Sequence, residues 1–297
     1  MHYLVTGATG FIGSQLTRRL IQTGKQVSVL VPPAESLRRA YEIIGVEAAT
    51  LRKVDVHEVD LRTAGAVARA IDTIDPSFVF HLAAAGVTDP FLSLDEAIRT
   101  NVYGTLHLLR AIKGRARVIT LRTPGEIEAL NVYAASKAAA WQFCRMYRRT
   151  QGWPIVGAMP FQVYGPGQTA KALIPSAIEA ALAGRDFPMT SGRQQRDWIY
   201  IDDVIGALIA LGKANRFDLE TIEIGSGSTL SVREVVERIY DLVGRGGRPL
   251  IGALPDRPGE VETQKAAADA TAAILGWRAQ ISLEAGLRLT IESMMNE

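Results

Sequence analysis

The residues of this chain best placed to do chemistry are Tyr133 and Lys137, in the run Tyr133-Ala134-Ala135-Ser136-Lys137. The apolar pattern over Val132–Thr150, with Trp141, Cys144 and Tyr147 on one side, predicts a helix there. On a helix, positions four apart share a face, so the phenol and the ammonium project together. A free tyrosine has a pKa near 10, too high for a base at neutral pH. A neighbouring ammonium favours the phenolate and lowers that value, so Tyr133 becomes able to take or give an alcohol proton. A string of five residues is often accidental. Its weight depends on the elements that carry it.

The first such element is a glycine turn, Gly7-Ala8-Thr9-Gly10-Phe11-Ile12-Gly13, set between the strand-like run Tyr3–Thr6 and the helical run Ile12–Thr23. One small residue permits the tight turn, another lets the backbone approach a pyrophosphate, and the last lets helix and strand pack closely. The helix N-terminus then turns free N–H groups and a positive dipole end towards the phosphates. This predicts a dinucleotide seat formed by Gly7, Thr9, Gly10, Phe11, Ile12 and Gly13. If the dinucleotide is a nicotinamide, the positive ring of its oxidised form adds to the pull of Lys137 on Tyr133. The pair then moves a proton while hydride moves to or from the ring.

Apolar runs and helical stretches alternate through about residue 165, the pattern of a parallel sheet covered on both faces. Strands are predicted at Val27–Val31, Val54–Val56, Phe78–His81, Arg117–Leu121 and Pro154–Met159, with helices at Ala64–Ile74 and Ala97–Ile112. Beyond Pro166 the rhythm changes. Helices at Leu173–Ala183, Val204–Ala210, Val232–Leu242 and Leu283–Met294 mix with short strands such as Trp198–Tyr200 and Thr221–Ile224. The fold class expected is α/β: a Rossmann doubly wound parallel sheet over 1–165, and a smaller mixed α/β substrate-binding domain over 166–297. Part of 197–230 is expected to return to the first domain.

The end of the second strand is where an acid would hold the adenosine ribose of NAD, and here it is Val31, followed by Pro32 and Pro33. Without that carboxylate nothing repels a 2′-phosphate, and Arg38 or Arg39 could pair with one. The balance leans slightly to NADP over NAD, although the two arginines equally suit a solvated helix face. Asp60, after the third strand, either accepts from the adenine amino group or is a plain exposed acid.

Further along the chain stand Phe80–Ala84 (FHLAA), Thr100–Thr105 (TNVYGT), Val163–Gly167 (VYGPG), Arg196–Val204 (RDWIYIDDV) and Arg257–Glu260 (RPGE). Taken in this order with the glycine turn and YAASK, they make the chain resemble the extended short-chain dehydrogenase/reductases, in their nucleotide-sugar epimerase/dehydratase branch. The resemblance runs nearly end to end. It implies a homodimer through a four-helix interface, which apolar surfaces on Ala97–Ile112 and Val132–Thr150 also suggest. It also implies cofactor contacts by Asp60, Leu61, Leu82, Ala83, Ala84, Asn101 and Pro160, beside Tyr133 and Lys137. A catalytic Ser or Thr is implied at the end of the fifth strand: Thr123 by register, with Thr120 second. In the second domain Gln162 falls where relatives touch the diphosphate, and Leu173, Ile174 and Pro175 where they flank the base. Arg196 and Arg257 match arginines that grip phosphates, a role suited to guanidinium forks. Either could instead pair with an acid such as Asp203 or Glu260.

The activity so implied is hydride transfer at the fourth carbon of a nucleotide-diphosphate sugar, by a 4-epimerase or a 4-ketoreductase. The alternatives are a 4,6-dehydratase, a reductase of some non-sugar carbonyl, or a non-catalytic dinucleotide binder. Departures bear on the choice. Only nine residues separate Thr123 from Tyr133, fewer than relatives usually carry. Dehydratases place an acid directly after their catalytic Thr; here the run is Thr123-Pro124-Gly125-Glu126, which counts against dehydration.

Bulk properties set the outer limits. With 33 basic and 31 acidic residues, the net charge of +2 gives no electrostatic case for nucleic acid. Arg145, Arg148 and Arg149 read as a solvated helix face. A single cysteine precludes an internal disulfide and fits a reducing compartment, and no apolar run reaches membrane-spanning length. A cytoplasmic protein is expected. The four histidines lack zinc-type spacing, so no metal site is expected.

Overall fold

The computed structural model describes residues 1–33, 42, 54–87, 89, 91–214 and 220–296. The chain divides into two compact units, Met1–Met159 with Leu208–Ile222, and Pro160–Ala207 with Glu223–Glu297.

In the first unit the strands β1 (His2–Thr6), β2 (Gln26–Val31), β3 (Val54–Glu58), β4 (Phe78–His81), β5 (Arg117–Leu121) and β6 (Ile155–Pro160) build one sheet. Thr221–Ile224 supplies its seventh strand, and the order is Thr221–Ile224, β6, β5, β4, β1, β2, β3. Pairings from β3 through to β6 are all parallel. This is the Rossmann arrangement expected from the alternating pattern. Both faces of such a sheet are covered, which is why β4 reads Phe-Val-Phe-His with every residue buried. Helices α1 (Phe11–Gln22) and α2 (Ala64–Ile74) follow β1 and β3. Val67, Ile71, Leu106, Leu109 and Trp141 close the core over Leu4, Val79 and Val118.

One feature departs from the sequence pattern. The helix expected at Ala97–Ile112 is three pieces: α3 (Leu94–Ala97), a π-helical turn Ile98–Tyr103, and α4 (Gly104–Ile112). The three basic residues of the long helix α5 (Val132–Gln151) lie exposed or half-exposed, as a solvated face would, and each has a partner there. Arg145 and Arg149 both pair with Glu220, and Arg148 donates to the Ile155 carbonyl at 2.8 Å. These contacts tie the residue preceding the Thr221–Ile224 strand to α5. Each charge finds a partner within the unit, so the cluster is not a free basic face.

The second unit has small sheets rather than one large one. Gln162–Tyr164 runs parallel to Trp198–Tyr200, while Gln195–Arg196 lies between Leu230–Ser231 and Thr263–Gln264. Its helices include Leu173–Leu182, Val232–Val243, Ala268–Leu275 and Leu283–Met295, of which Ala268–Leu275 was not expected. Asp197 is fully buried and holds this unit's loops together. Its carboxylate accepts from the Ser226 and Gly227 amides, the Ser226 hydroxyl and the Ala266 amide, so a charge without solvent is fully hydrogen-bonded. Among the described residues no helix is long and apolar enough to cross a membrane.

Candidate active site

The glycine turn has the geometry its sequence calls for. Gly7 has φ +72°, and a Cβ there would sit 2.6 Å from the Ala83 amide nitrogen. A Cβ on Gly13 would collide with the Gly7 carbonyl. Those two glycines therefore serve the turn and the helix–strand contact. Gly10 is different: it is exposed, it is the N-cap of α1, and no side chain caps the helix. The first-turn N–H groups are left for an anion, and the cradle fits a dinucleotide pyrophosphate. Thr9, Phe11 and Ile12 stand half-buried along it.

From this turn a chain of hydrogen bonds runs to the helix bearing Tyr133 and Lys137. The Ala83 amide donates to Thr6 Oγ1 at 3.3 Å, and Thr6 Oγ1 lies 2.8 Å from His81 Nδ1. His81 Nε2 lies 2.9 Å from Thr105 Oγ1, which donates to the Asn101 carbonyl at 2.6 Å. Because Thr105 gives its one proton to that carbonyl, it accepts from His81, and the ring carries its hydrogen on Nε2. Nδ1 is then the acceptor for Thr6. Burial holds His81 neutral, driving its pKa down to about 3, and Lys137 nearby adds to the effect. The Asn101 amide spans Ala85, accepting from its N–H at 2.8 Å and donating to its carbonyl, and also donates to Ser136 Oγ at 2.9 Å. Ser136 in turn donates to the Tyr133 carbonyl at 2.8 Å. Residues 82–84 lie half-buried beside this chain. Thr6, Thr105 and Ser136 were not singled out from the sequence, because nothing in their spacing shows which hydroxyls will meet.

On α5, Asn131 caps the N-terminus by accepting from the Ala134 amide at 2.8 Å. Tyr133 follows in the first turn and Lys137 one turn on, the lysine buried. The expectation of a lowered tyrosine pKa does not hold for the chain by itself. Burial pushes the Tyr133 phenol up to about 12, and the charge of Glu126 pushes the same way. Lys137 is held below its ordinary value by burial, against the opposing pull of Glu126. The short segment after β5 forms a 3₁₀ turn, Pro124–Glu126, packed against α5. Thr123 begins it, half-buried, and donates its amide to Glu126 Oε1 at 3.0 Å. Thr120, the second choice, is buried within β5.

Other expected residues divide. Asp60 is clamped by Arg62, which donates to both of its oxygens and holds the carboxyl below its usual range; Leu61 beside it is buried. Arg38 lies outside the described residues, as does Arg39. In the second unit Gln162 and Arg257 are exposed, Leu173 is half-buried, and Pro160, Ile174 and Pro175 are buried. Arg196 is buried and engaged by its own chain. It pairs with Glu260 at 3.0 Å and donates to the Gln195 and Val261 carbonyls. Of its two readings, the internal ion pair is the arrangement present. Asp203 instead accepts from the Gln280 and Ile281 amides.

The sequence profile described as the NAD dependent epimerase/dehydratase family matches residues 3–225. The chain belongs to that family. Among curated members, it is 30% identical to the UDP-glucose 4-epimerase of Mycolicibacterium smegmatis, over all of this chain and 99% of that one. It is also 30% identical to dTDP-glucose 4,6-dehydratase 1 of Escherichia coli K12, over 98% and 92%. Among solved structures, dTDP-glucose 4,6-dehydratase DesIV of Streptomyces venezuelae, with NAD and TYD bound, superposes with a TM-score of 0.86. It is 27% identical, covering 100% of this chain and 98% of that one. As a member of the epimerase/dehydratase family, the chain is an NAD-dependent enzyme of the extended short-chain dehydrogenase type.

Proposed function

We propose that this protein is a 4-epimerase of nucleotide-diphosphate sugars, with Thr123, Tyr133 and Lys137 as its catalytic residues. The observation that carries the choice among family activities is the state of Glu126. Relatives of equal identity include an epimerase and a dehydratase, and elimination of water needs an acid free to move a proton. Pro124, not an acid, directly follows Thr123, and Glu126, the first acid after it, has both oxygens committed: one to the Thr123 amide, one to Arg122. Glu128, two residues further, keeps one oxygen without a partner among the described residues.

The glycine turn holds the pyrophosphate, and residues 82–84 pass beside the cofactor. When bound, the nicotinamide accepts and returns hydride. Thr123 orients the sugar oxygen by hydrogen bonding. Tyr133 takes the proton of the C4 hydroxyl and later gives it back, while Lys137 stabilises the phenolate. In the second unit, exposed Arg257 pairs with the diphosphate and Gln162 assists; Arg196 supports the site through Glu260. We take the cofactor to be NAD. The leaning to NADP rests on Val31 with Arg38 and Arg39, and the DesIV relative holding NAD lends it no support.

Incubation with UDP- and dTDP-hexoses and NAD, followed by NMR of the products, tests the reading. A 4-epimer with no net cofactor change is expected. A 4-keto-6-deoxy product would make it a dehydratase, and net reduction of NAD with a 4-keto-sugar product, the reverse of ketoreduction, a ketoreductase. Absence of turnover across the panel would overturn the sugar-nucleotide assignment.

A further inference from the structure

The buried ion pair between Arg122 and Glu126 is unexplained by the roles above. Its side chains are 15% and 1% exposed, and the carboxylate meets the guanidinium at 2.8 Å. Arg122 is held from every side. Its Nη1 donates to Thr221 Oγ1 at 2.8 Å, and its guanidinium lies 4.6 Å from the centre of the Trp141 ring. A Cβ on Gly157 would stand 2.6 Å from Arg122 Cδ, so the glycine of β6 makes room for the arginine. A pair of this kind gives little net stability over apolar residues of the same volume, because desolvating two charges offsets their attraction. Stability is therefore a poor account of why a charge is buried at this spot.

Position is a better one. The 3₁₀ turn bearing Glu126 packs on α5, and a Cβ on Gly125 would come within 3.6 Å of Ala134 Cβ, next to Tyr133. The other oxygen of Glu126 fixes the amide of Thr123. We propose that Glu126 is a positioning residue of this site, holding Thr123 in place and supplying the fixed negative charge against which Tyr133 and Lys137 work. This rests on the assignment of Tyr133 as the proton carrier. Among the described residues, the titratable groups bearing on the pair are Glu126 on Tyr133, and Glu126, Arg122 and the un-ionised Cys144 thiol on Lys137, while Lys137 bears on His81. Glu126 favours the protonated form of both Tyr133 and Lys137. Burial first, and Glu126 with it, keep the phenol protonated in the chain by itself, and leave its release to the positive charge that an oxidised cofactor brings.

A pH-jump measurement of phenolate absorbance, read before the chain unfolds, tests this on the protein without cofactor or substrate. Subtracting the signal of Tyr133→Phe isolates Tyr133. Glu126→Gln keeps the volume and removes the charge, and should lower the Tyr133 midpoint by about one pH unit. Glu126→Asp should restore it. Should Glu126→Gln not fold, Arg122→Gln carries the test: it removes the guanidinium paired with Glu126, so the midpoint should rise. A Tyr133 midpoint indifferent to these changes overturns the proposal. Full turnover by Tyr133→Phe would instead sink the catalytic assignment and leave the electrostatic result standing.

Discussion

Tyr133 shows how far residue chemistry can be read from spacing. The run YAASK correctly puts phenol and ammonium on one helical face, since helix geometry alone decides that. It does not give the sign of the electrostatics. Burial and Glu126 raise the phenol, and Glu126 reaches the site through a turn that no periodicity describes. Tyr133→Phe removes the proposed proton carrier while leaving the glycine turn intact. Turnover should fall by about two to four orders of magnitude, with cofactor affinity kept, measured by steady-state kinetics beside cofactor titration. Near-normal turnover would reject the role. Arg257→Ala, which removes the exposed guanidinium of the second unit, should raise KM for the sugar nucleotide more than it lowers kcat. An unchanged KM would mean that the diphosphate is held elsewhere.

At the scale of elements, the π turn Ile98–Tyr103 is the clearest place where local pattern fails. The apolar residues of 97–112 fit a 3.6-residue period, so a continuous α-helix is the natural expectation. A π turn is rare and persists where tertiary contacts support it. Here the contacts are those of Asn101, which joins Ala85 to Ser136, and of Thr105, which meets His81. Strands β4 and β5 and helix α2, by contrast, fall at the residues their patterns predict, because burial on one or both faces dictates their composition. Asn101→Ala should strip partners from the Ala85 backbone and Ser136 at once. A loss of about 1–3 kcal/mol in urea unfolding is expected, with lower turnover; a neutral change would mean that the turn does not depend on this amide.

His81 makes the same network sensitive to acid. Its folded pKa, about 3, lies below the ordinary value of 6.5. As pH falls below 6.5 the unfolded chain takes up a proton that the folded chain refuses, so stability is full above that value and declines down to about pH 3. The decline is at most about 1.4 kcal/mol per pH unit for one proton. Asp60, Glu220, Glu234 and Asp256, whose pKa values folding lowers, add their own loss only near and below the ordinary carboxylate range. Unfolding free energies from pH 7 to 5 should slope for the natural protein. In His81→Gln they should be lower and flat, and equal slopes would remove His81 as the cause.

For the whole molecule, the sequence resolves the parallel sheet, but not how the later elements pair. Two-residue strands such as Gln195–Arg196 carry no alternation to detect, and they form around the buried Asp197 carboxylate, which draws together segments far apart in the chain. Association between copies also belongs to this scale. Ile98 and Tyr103 on the π turn are 37% and 50% exposed, and Phe143 and Met146 on α5 are 38% and 40% exposed. The π turn packs on α5, so these four side chains belong to adjoining helices of one unit. Large apolar groups clustered on neighbouring helices mark a surface suited to another protein. A second copy presenting the same helices would close a four-helix layer by two-fold symmetry, each face covering its twin. The protein should therefore run as a dimer in light scattering coupled to gel filtration. Phe143→Glu with Met146→Glu places four like charges in that layer and should give monomers that keep their fold by circular dichroism. A natural protein of monomeric mass would reject the dimer, and a double variant that stays dimeric would move the interface off these helices.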